Sequence, residues 1–209
     1  MLQFTKENFH SLCDALGAKD KWLQQVLTEY GYPPFWTRPN TFETLALTIL
    51  EQQVSLASAY AAYKKLKGLL GDITPALVLE LTDEDLRSCY FSRQKIVYVR
   101  ELANAINTKR IDLKSFEKKE DEVVRQELKA LKGIGDWTVD IYLLHALQRT
   151  DIFPIGDLAL VNAIRMIKDK PLTKEEILKL SNQWKPNRSI ATMILWHYYI
   201  KKRNIKLLH

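Results

Sequence analysis

Between Leu131 and Asp157 the chain reads LKGIGDWTVDIYLLHALQRTDIFPIGD, and two features of that stretch could do chemistry. The first is Gly133-Ile134-Gly135. Glycine has no Cβ to hold a backbone at a distance and reaches positive φ at no steric cost. A Gly-x-Gly turn therefore lets main-chain N–H groups come close to an anion such as a phosphate. The second is Asp157, which follows Gly156 and opens an apolar-periodic run through Leu160, Val161, Ile164 and Ile167. An aspartate in that place is a helix N-cap, its carboxylate met by backbone donors. Held so, a carboxylate can stabilise a developing positive charge or orient a water. The same position also suits a purely structural cap.

The elements that must position these residues read as helices. Phe42 to Leu69 carries apolar residues at helical spacing, interrupted by Gln52-Gln53, so two helices with a break near Val54-Ser55 are expected, ending at Gly68 and Gly71. Thr82-Asp83-Glu84-Asp85 begins a short capped helix, and Ser92 opens another through Ile96, Val99, Leu102 and Ile106. A charged connector, Lys109 to Lys119, precedes a helix from Glu120 to Leu131. Further helices are expected over Trp137–Leu147, Asp157–Ile167, Lys174–Gln183 and Ser189–Lys201. Pro33-Pro34 and Pro154 are local breaks. No alternating strand pattern or repeat is evident, so the fold class is all-α.

Composition sets outer bounds. A chain of 209 residues, 46% hydrophobic, can bury a core without a staple. Cys13 and Cys89 form no C-x-x-C pair and cannot supply four thiolates, which argues against a zinc ribbon or an iron–sulfur cluster; both are expected as buried, reduced thiols. No apolar run reaches the roughly 20 residues that span a bilayer, and the N-terminus lacks a signal-peptide core. A cytoplasmic location is expected, at the nucleoid in a bacterium or in the nucleus of a eukaryote, with no membrane partner. The net charge of +6 suits a polyanionic partner, and no acid follows Glu176, whereas Lys179, Lys185, Arg188, Lys201, Lys202, Arg203 and Lys206 do. A solvated helix face with a basic tail accounts for the last four equally well.

From its own residues, the Leu131–Gly135 turn reads either as a phosphate clamp or as a tight αα-hairpin with glycine at a helix C-cap. Each favourable interaction of an anion with such a helix N-terminus is worth on the order of 1 kcal/mol. Five blocks in order carry a resemblance. They are Ile49-Leu50-Glu51-Gln52-Gln53-Val54-Ser55; Ser92-Arg93-Gln94-Lys95 with Tyr98 and Leu102-Ala103; the Gly turn with Trp137-Thr138; Asp151 to Leu158; and Trp184 to Ser189 with Ala191 and Trp196. Through them the chain resembles the helix-hairpin-helix, Gly/Pro-rich-loop, aspartate superfamily of DNA glycosylases, and within it the 3-methyladenine DNA glycosylase II branch, over about residues 40 to 200.

That resemblance implies two helical lobes with the active site in the cleft between them: one of residues 41–131, the other of 1–40 with 150–209, joined by the hairpin over 120–148. It implies Asp157 as the catalytic carboxylate of N-glycosidic bond hydrolysis. Gly133, Gly135, Thr138 and Lys132 would contact the phosphate backbone, with Gln53 and Ser55 further DNA contacts, and Gln53 placed to fill the gap left by a flipped base. Trp137 and Trp196, then Tyr142 and Trp36, would receive the base, core packing being the alternative for each. Strand-cleaving relatives carry lysine where Trp137 stands, so a monofunctional enzyme is implied. Its partner would be double-stranded DNA containing alkylated purines, acted on by a monomer. No cofactor is required, although main-chain carbonyls of Lys129, Leu131 and Ile134 are candidates for a monovalent cation.

The chain departs from the pattern at Ile141, where relatives often carry an aromatic, and at Lys132, where they carry proline. With roughly 40 residues before the matched region, the relatives' N-terminal β-rich domain is not expected. Two other readings stay open on the sequence: a non-catalytic helix-hairpin-helix DNA-binding module, and a glycosylase for oxidised or deaminated bases.

Overall fold

The computed structural model describes residues 2–206. The chain divides into two units: one of Leu143–Lys206 with the N-terminal residues up to Thr37, the other of Arg38–Tyr142. The division falls after Tyr142, so the residues of the expected joint, 120–148, are shared between the units.

In the second unit, α3 (Phe42–Glu51) follows a Thr41 cap and buries Phe42, Leu45, Ile49 and Leu50. Four residues later, Ser55 caps α4 (Leu56–Leu70), which runs through Gly68 and stops at Gly71 with φ +73°, where glycine carries no steric penalty. Thr74 and Pro75 begin α5 (Pro75–Glu80), and Thr82 with Asp85 forms a reciprocal capping box on α6 (Asp83–Ser88). Ser92 caps α7 (Arg93–Asn107), whose buried stripe of Ile96, Val99, Leu102 and Ala103 packs against α3 and α5. The expected connector contains a further turn of helix, α8 (Leu113–Phe116), because Leu113 and Phe116 bury among its charges and Asp112 caps it. Then come α9 (Asp121–Lys129) and α10 (Asp136–His145), the arms of the hairpin, the last three residues of α10 belonging to the first unit.

In the first unit, α1 (Phe9–Gly17) and α2 (Lys21–Tyr30) pack together, and α2 lies on α13 (Arg188–Lys202). Helix α11 (Leu158–Lys168) also packs on α13 and buries Leu160, Val161, Ile164 and Ile167. Helix α12 (Lys174–Ser181) is shorter than its periodicity suggests, and Asn182–Trp184 tightens into a 3₁₀ turn. Buried Trp184 there donates its indole N–H to Asp20 Oδ2 at 2.9 Å, while Asp20 Oδ1 caps α2. Among the described residues no strand forms beyond an isolated antiparallel bridge between Gln3 and Arg149. No described helix is long and apolar enough to cross a membrane. Both cysteines are buried and free, and burial pushes the Cys13 thiol up to about 12.

Candidate functional site

The hairpin turn is shaped by three contacts within the second unit. Gly133 has φ +89°, and a Cβ built on it would lie 2.0 Å from Cγ of Tyr98. Both the dihedral and the space demand glycine. Its carbonyl accepts a hydrogen bond from Gln52 Nε2 at 2.9 Å, and the same amide donates to Thr138 Oγ1 at 2.9 Å. Gln52, just past the end of α3, therefore ties together both sides of the turn. Gly135 differs from Gly133: it is exposed, and a Cβ there would meet nothing within 4 Å. Its carbonyl accepts the Val139 N–H at 3.1 Å, the first bond of α10. The open approach to Gly135 at the head of a ten-residue helix is what an anion needs.

Ion pairs clasp the two arms. Arg125 on α9 meets Asp140 at 2.6 Å and Asp136 at 3.5 Å, and Lys129 meets Asp136 at 2.6 Å. The Lys129 hydrogen bond is the main reason that the Asp136 carboxyl lies below its ordinary range. Lys132, at the turn itself, is exposed. At the other end of this arrangement, Lys95 of α7 donates to the Leu50 carbonyl at 2.6 Å and so caps α3 before the Gln52-Gln53 loop. Burial holds the Lys95 ammonium below the usual lysine range.

Thr138, expected at the phosphate backbone, and Tyr142, expected at the base, are both buried and engaged within the second unit. Thr138 is 2% exposed with its hydroxyl engaged by Gln52, so it braces the turn and does not present itself to a phosphate. Tyr142 is fully buried, donates to Asn40 Oδ1 at 2.5 Å and packs edge-on to Phe116, which places it in the core of the second unit. Gln53 is exposed with φ +56°, next to exposed Val54 and Leu56, and Ser55 Oγ caps α4 by accepting the Ser58 N–H at 3.2 Å. Trp137 lies half-buried in the first turn of α10, and Ile141, one turn on, is buried.

In the first unit Asp157 caps α11. Its Oδ1 accepts the Leu160 N–H at 2.8 Å and also the Trp196 indole N–H at 3.0 Å. The residues before it are held by α13. Ser189 Oγ donates to the Arg149 carbonyl at 2.6 Å and accepts the Ile152 N–H at 2.9 Å. Arg188 forms a two-pronged pair with Asp151, at 2.7 and 2.9 Å. Buried Phe153 and Pro154 then turn the chain so that the Asp157 N–H reaches the Pro154 carbonyl at 2.8 Å. Asp157 is thus fixed from in front by its loop and from behind by Trp196, itself only 9% exposed and stacked on His145. Trp36 is half-buried, its ring 6.3 Å from that of His197 and its carbonyl hydrogen-bonded to His145 Nδ1 at 2.9 Å.

The three carbonyls considered for a cation, those of Lys129, Leu131 and Ile134, are oxygen donors of the right kind; that of Leu131 also accepts the Ile134 N–H at 3.2 Å. No cluster of three His, Cys, Asp or Glu side chains suited to a metal occurs among the described residues. A concavity of about 650 Å³ edged by Phe42, Ile106, Ile111 and Leu113 contains none of the candidate site residues.

The chain is 29% identical to the "Putative DNA-3-methyladenine glycosylase YfjP" of Bacillus subtilis, over 83% of its own length and 64% of the relative's, so it spans less than two thirds of that protein. It is 32% identical to the "Alkylbase DNA glycosidase-like protein mag2" of Schizosaccharomyces pombe, over 74% of this chain and 76% of that one. Among solved structures it superposes on the 3-methyladenine DNA glycosylase Mag1 of the same yeast, in complex with abasic DNA. There the TM-score is 0.84 at 28% identity, covering 89% of this chain and 95% of that one. The family model described as HhH-GPD superfamily base excision DNA repair protein matches residues 46–186, from α3 through the Gly turn and Asp157 to the start of the closing block. The chain belongs to the HhH-GPD superfamily of base excision DNA repair proteins.

Proposed function

We propose that the protein is a monofunctional DNA glycosylase that removes alkylated purines of the 3-methyladenine and 7-methylguanine type, leaving an abasic site. The observation that carries this reading is Asp157: one carboxylate fixed at a helix N-cap and gripped by an indole N–H, in the Phe-Pro-x-x-Asp setting of the superfamily. Cleavage of an N-glycosidic bond develops positive charge on the sugar as the bonding pair leaves with the base. A pre-positioned anion stabilises that oxocarbenium-like state, and water completes the hydrolysis at the sugar carbon. The exposed Gly135 approach and Lys132 would take the phosphate backbone of double-stranded DNA. Where a monovalent cation binds, the carbonyls of Lys129, Leu131 and Ile134 would hold it, and its charge would favour the same phosphate.

Trp137 sets the outcome. Lysine at this place could form a Schiff base with the sugar and break the strand; an indole cannot. It can instead stack on a cationic alkylated purine, which is attracted to an electron-rich ring. The names of the relatives support the substrate class, and the abasic-DNA complex of the yeast enzyme supports the partner. One chain per extruded base suffices, so the acting species is a monomer.

The test is a panel of duplexes, each with one defined lesion (3-methyladenine, 7-methylguanine, hypoxanthine or 8-oxoguanine), assayed for base release and separately for strand breaks with and without alkali. Release from the methylated duplexes, with breaks only after alkali, is expected. Binding without release from any duplex would favour a non-catalytic module, and release from the oxidised or deaminated lesions alone would change the substrate class.

A further inference from the structure

Asp157 is not held by its helix cap alone. Trp196 Nε1 donates to Asp157 Oδ1 at 3.0 Å, and the direction of that N–H is fixed by the plane of the indole. His145 lies against that plane: its ring is parallel to Trp196 within 5° at a centroid separation of 5.5 Å, an offset stack. His145 is in turn anchored: Nδ1 lies 2.9 Å from the Trp36 carbonyl. A carbonyl oxygen only accepts, so Nδ1 carries the proton, which settles the position of one ring hydrogen. The Trp36 backbone is itself turned by its N–H to the Pro34 carbonyl at 2.8 Å. All four residues belong to the first unit.

We propose that His145 is a positioning residue for Asp157, acting through Trp196. The proposal rests on the reading of Asp157 as the reacting carboxylate. The chain of contacts runs from a main-chain carbonyl, through an imidazole of fixed orientation and an indole of fixed plane, to one carboxylate oxygen. Without the stack, the indole can swing about its side-chain torsions, and the N–H no longer tracks Oδ1. Asp157 then keeps its Leu160 bond, so α11 stays capped, but the second constraint on its carboxylate is lost. The arrangement also revises the part expected of Trp196: one ring face lies on His145 and the N–H serves Asp157, so its main task is to orient the carboxylate.

The test uses His145→Ala, His145→Phe and His145→Asn in the full chain, with three readouts. The first is single-turnover release of 3-methyladenine. The second is affinity for a duplex bearing an abasic-site analogue, and the third is the Trp196 indole N–H resonance, assigned by its loss in Trp196→Phe. His145→Ala should slow release about tenfold, the rate equivalent of ~1.4 kcal/mol, and displace the indole resonance. Affinity for the analogue should stay within about twofold, since no DNA contact is touched. Phenylalanine keeps a stacking ring and should recover the rate to within about threefold of wild type. Asparagine, which can keep the bond to Trp36 without the ring, should behave as alanine does.

An unmoved resonance and rate in His145→Ala would overturn the proposal, as would rate and DNA affinity falling together. If the wild-type protein releases no methylated base, the functional reading fails on its own. The resonance still decides whether His145 sets the indole: displacement in His145→Ala but not in His145→Phe supports that, and no displacement refutes it.

Discussion

Replacement of Gly133 by alanine separates the two glycines of the turn by physics alone. At φ +89° an alanine is strained by roughly 1–2 kcal/mol. Its methyl would also lie 2.0, 2.2 and 2.4 Å from Cγ, Cδ1 and Cδ2 of Tyr98. These atoms are at or next to the base of the ring, so the whole side chain must move, at an overpacking cost of about 1–3 kcal/mol. Gly133→Ala is therefore expected to lose about 2–5 kcal/mol, a large share of the stability of an ordinary domain. Urea denaturation should show a lowered midpoint with an unchanged slope. Measured against Tyr98→Ala alone, the added Gly133→Ala should cost only the dihedral part, about 1–2 kcal/mol. Gly135→Ala is the control: nothing lies within 4 Å of its Cβ, so stability should change by less than about 0.5 kcal/mol, while duplex affinity falls because a methyl now stands in the open approach. Gly133→Ala of wild-type stability, or Gly135→Ala of wild-type affinity, would refute this account of the turn.

Gln52→Ala removes two hydrogen bonds and leaves the buried Thr138 hydroxyl without its donor; a loss of about 1–2 kcal/mol is expected, with weaker duplex binding by fluorescence anisotropy. If both stay at wild-type values, Gln52 does not brace the turn. Alkaline titration should show stability falling between pH 9 and 12 through Cys13. The unfolded thiol loses its proton near 9 while the buried native thiol keeps it to about 12, so the native state binds more protons across that window. Cys13→Ala should flatten this part of the curve, and an unchanged slope would assign the alkaline loss to other groups.

The cap at Asp157, the break near Val54-Ser55 and the capped starts at Thr82 and Ser92 were legible because each depends on local chemistry, a short polar side chain before an apolar stripe. The fold class followed from the same periodicity. Helix α8 was not legible, since its four residues sit among lysines and acids and only long-range packing reveals that Leu113 and Phe116 turn inward. Nor was the choice between adjacent glutamines. Gln53 adopts φ +56° and faces solvent, which leaves Gln52 to reach the hairpin, and a loop dihedral cannot be read from composition. The hint was present in the paired glutamines that interrupt the stripe. Thr138 and Tyr142 show the opposite limit: a hydroxyl beside a glycine turn looks like a phosphate contact, and an aromatic ring one helical turn further looks like a platform for a base, until their partners are known. His145 carries no motif at all. Its significance appears only when the end of α10, the segment after α2 and the middle of α13 are seen against one another.

The most direct test of the central claim compares the wild-type protein with Asp157→Asn in single-turnover release of 3-methyladenine from a duplex, alongside affinity for an abasic-site analogue and thermal unfolding. Asparagine caps helices as well as aspartate does and can still accept the Leu160 and Trp196 N–H bonds, so fold and DNA binding should be retained. Only the negative charge is removed. Base release should be abolished while affinity and stability stay near wild type. Release at the wild-type rate by Asp157→Asn would contradict the assignment of Asp157 as the reacting carboxylate, and parallel loss of release, binding and stability would make it a structural cap.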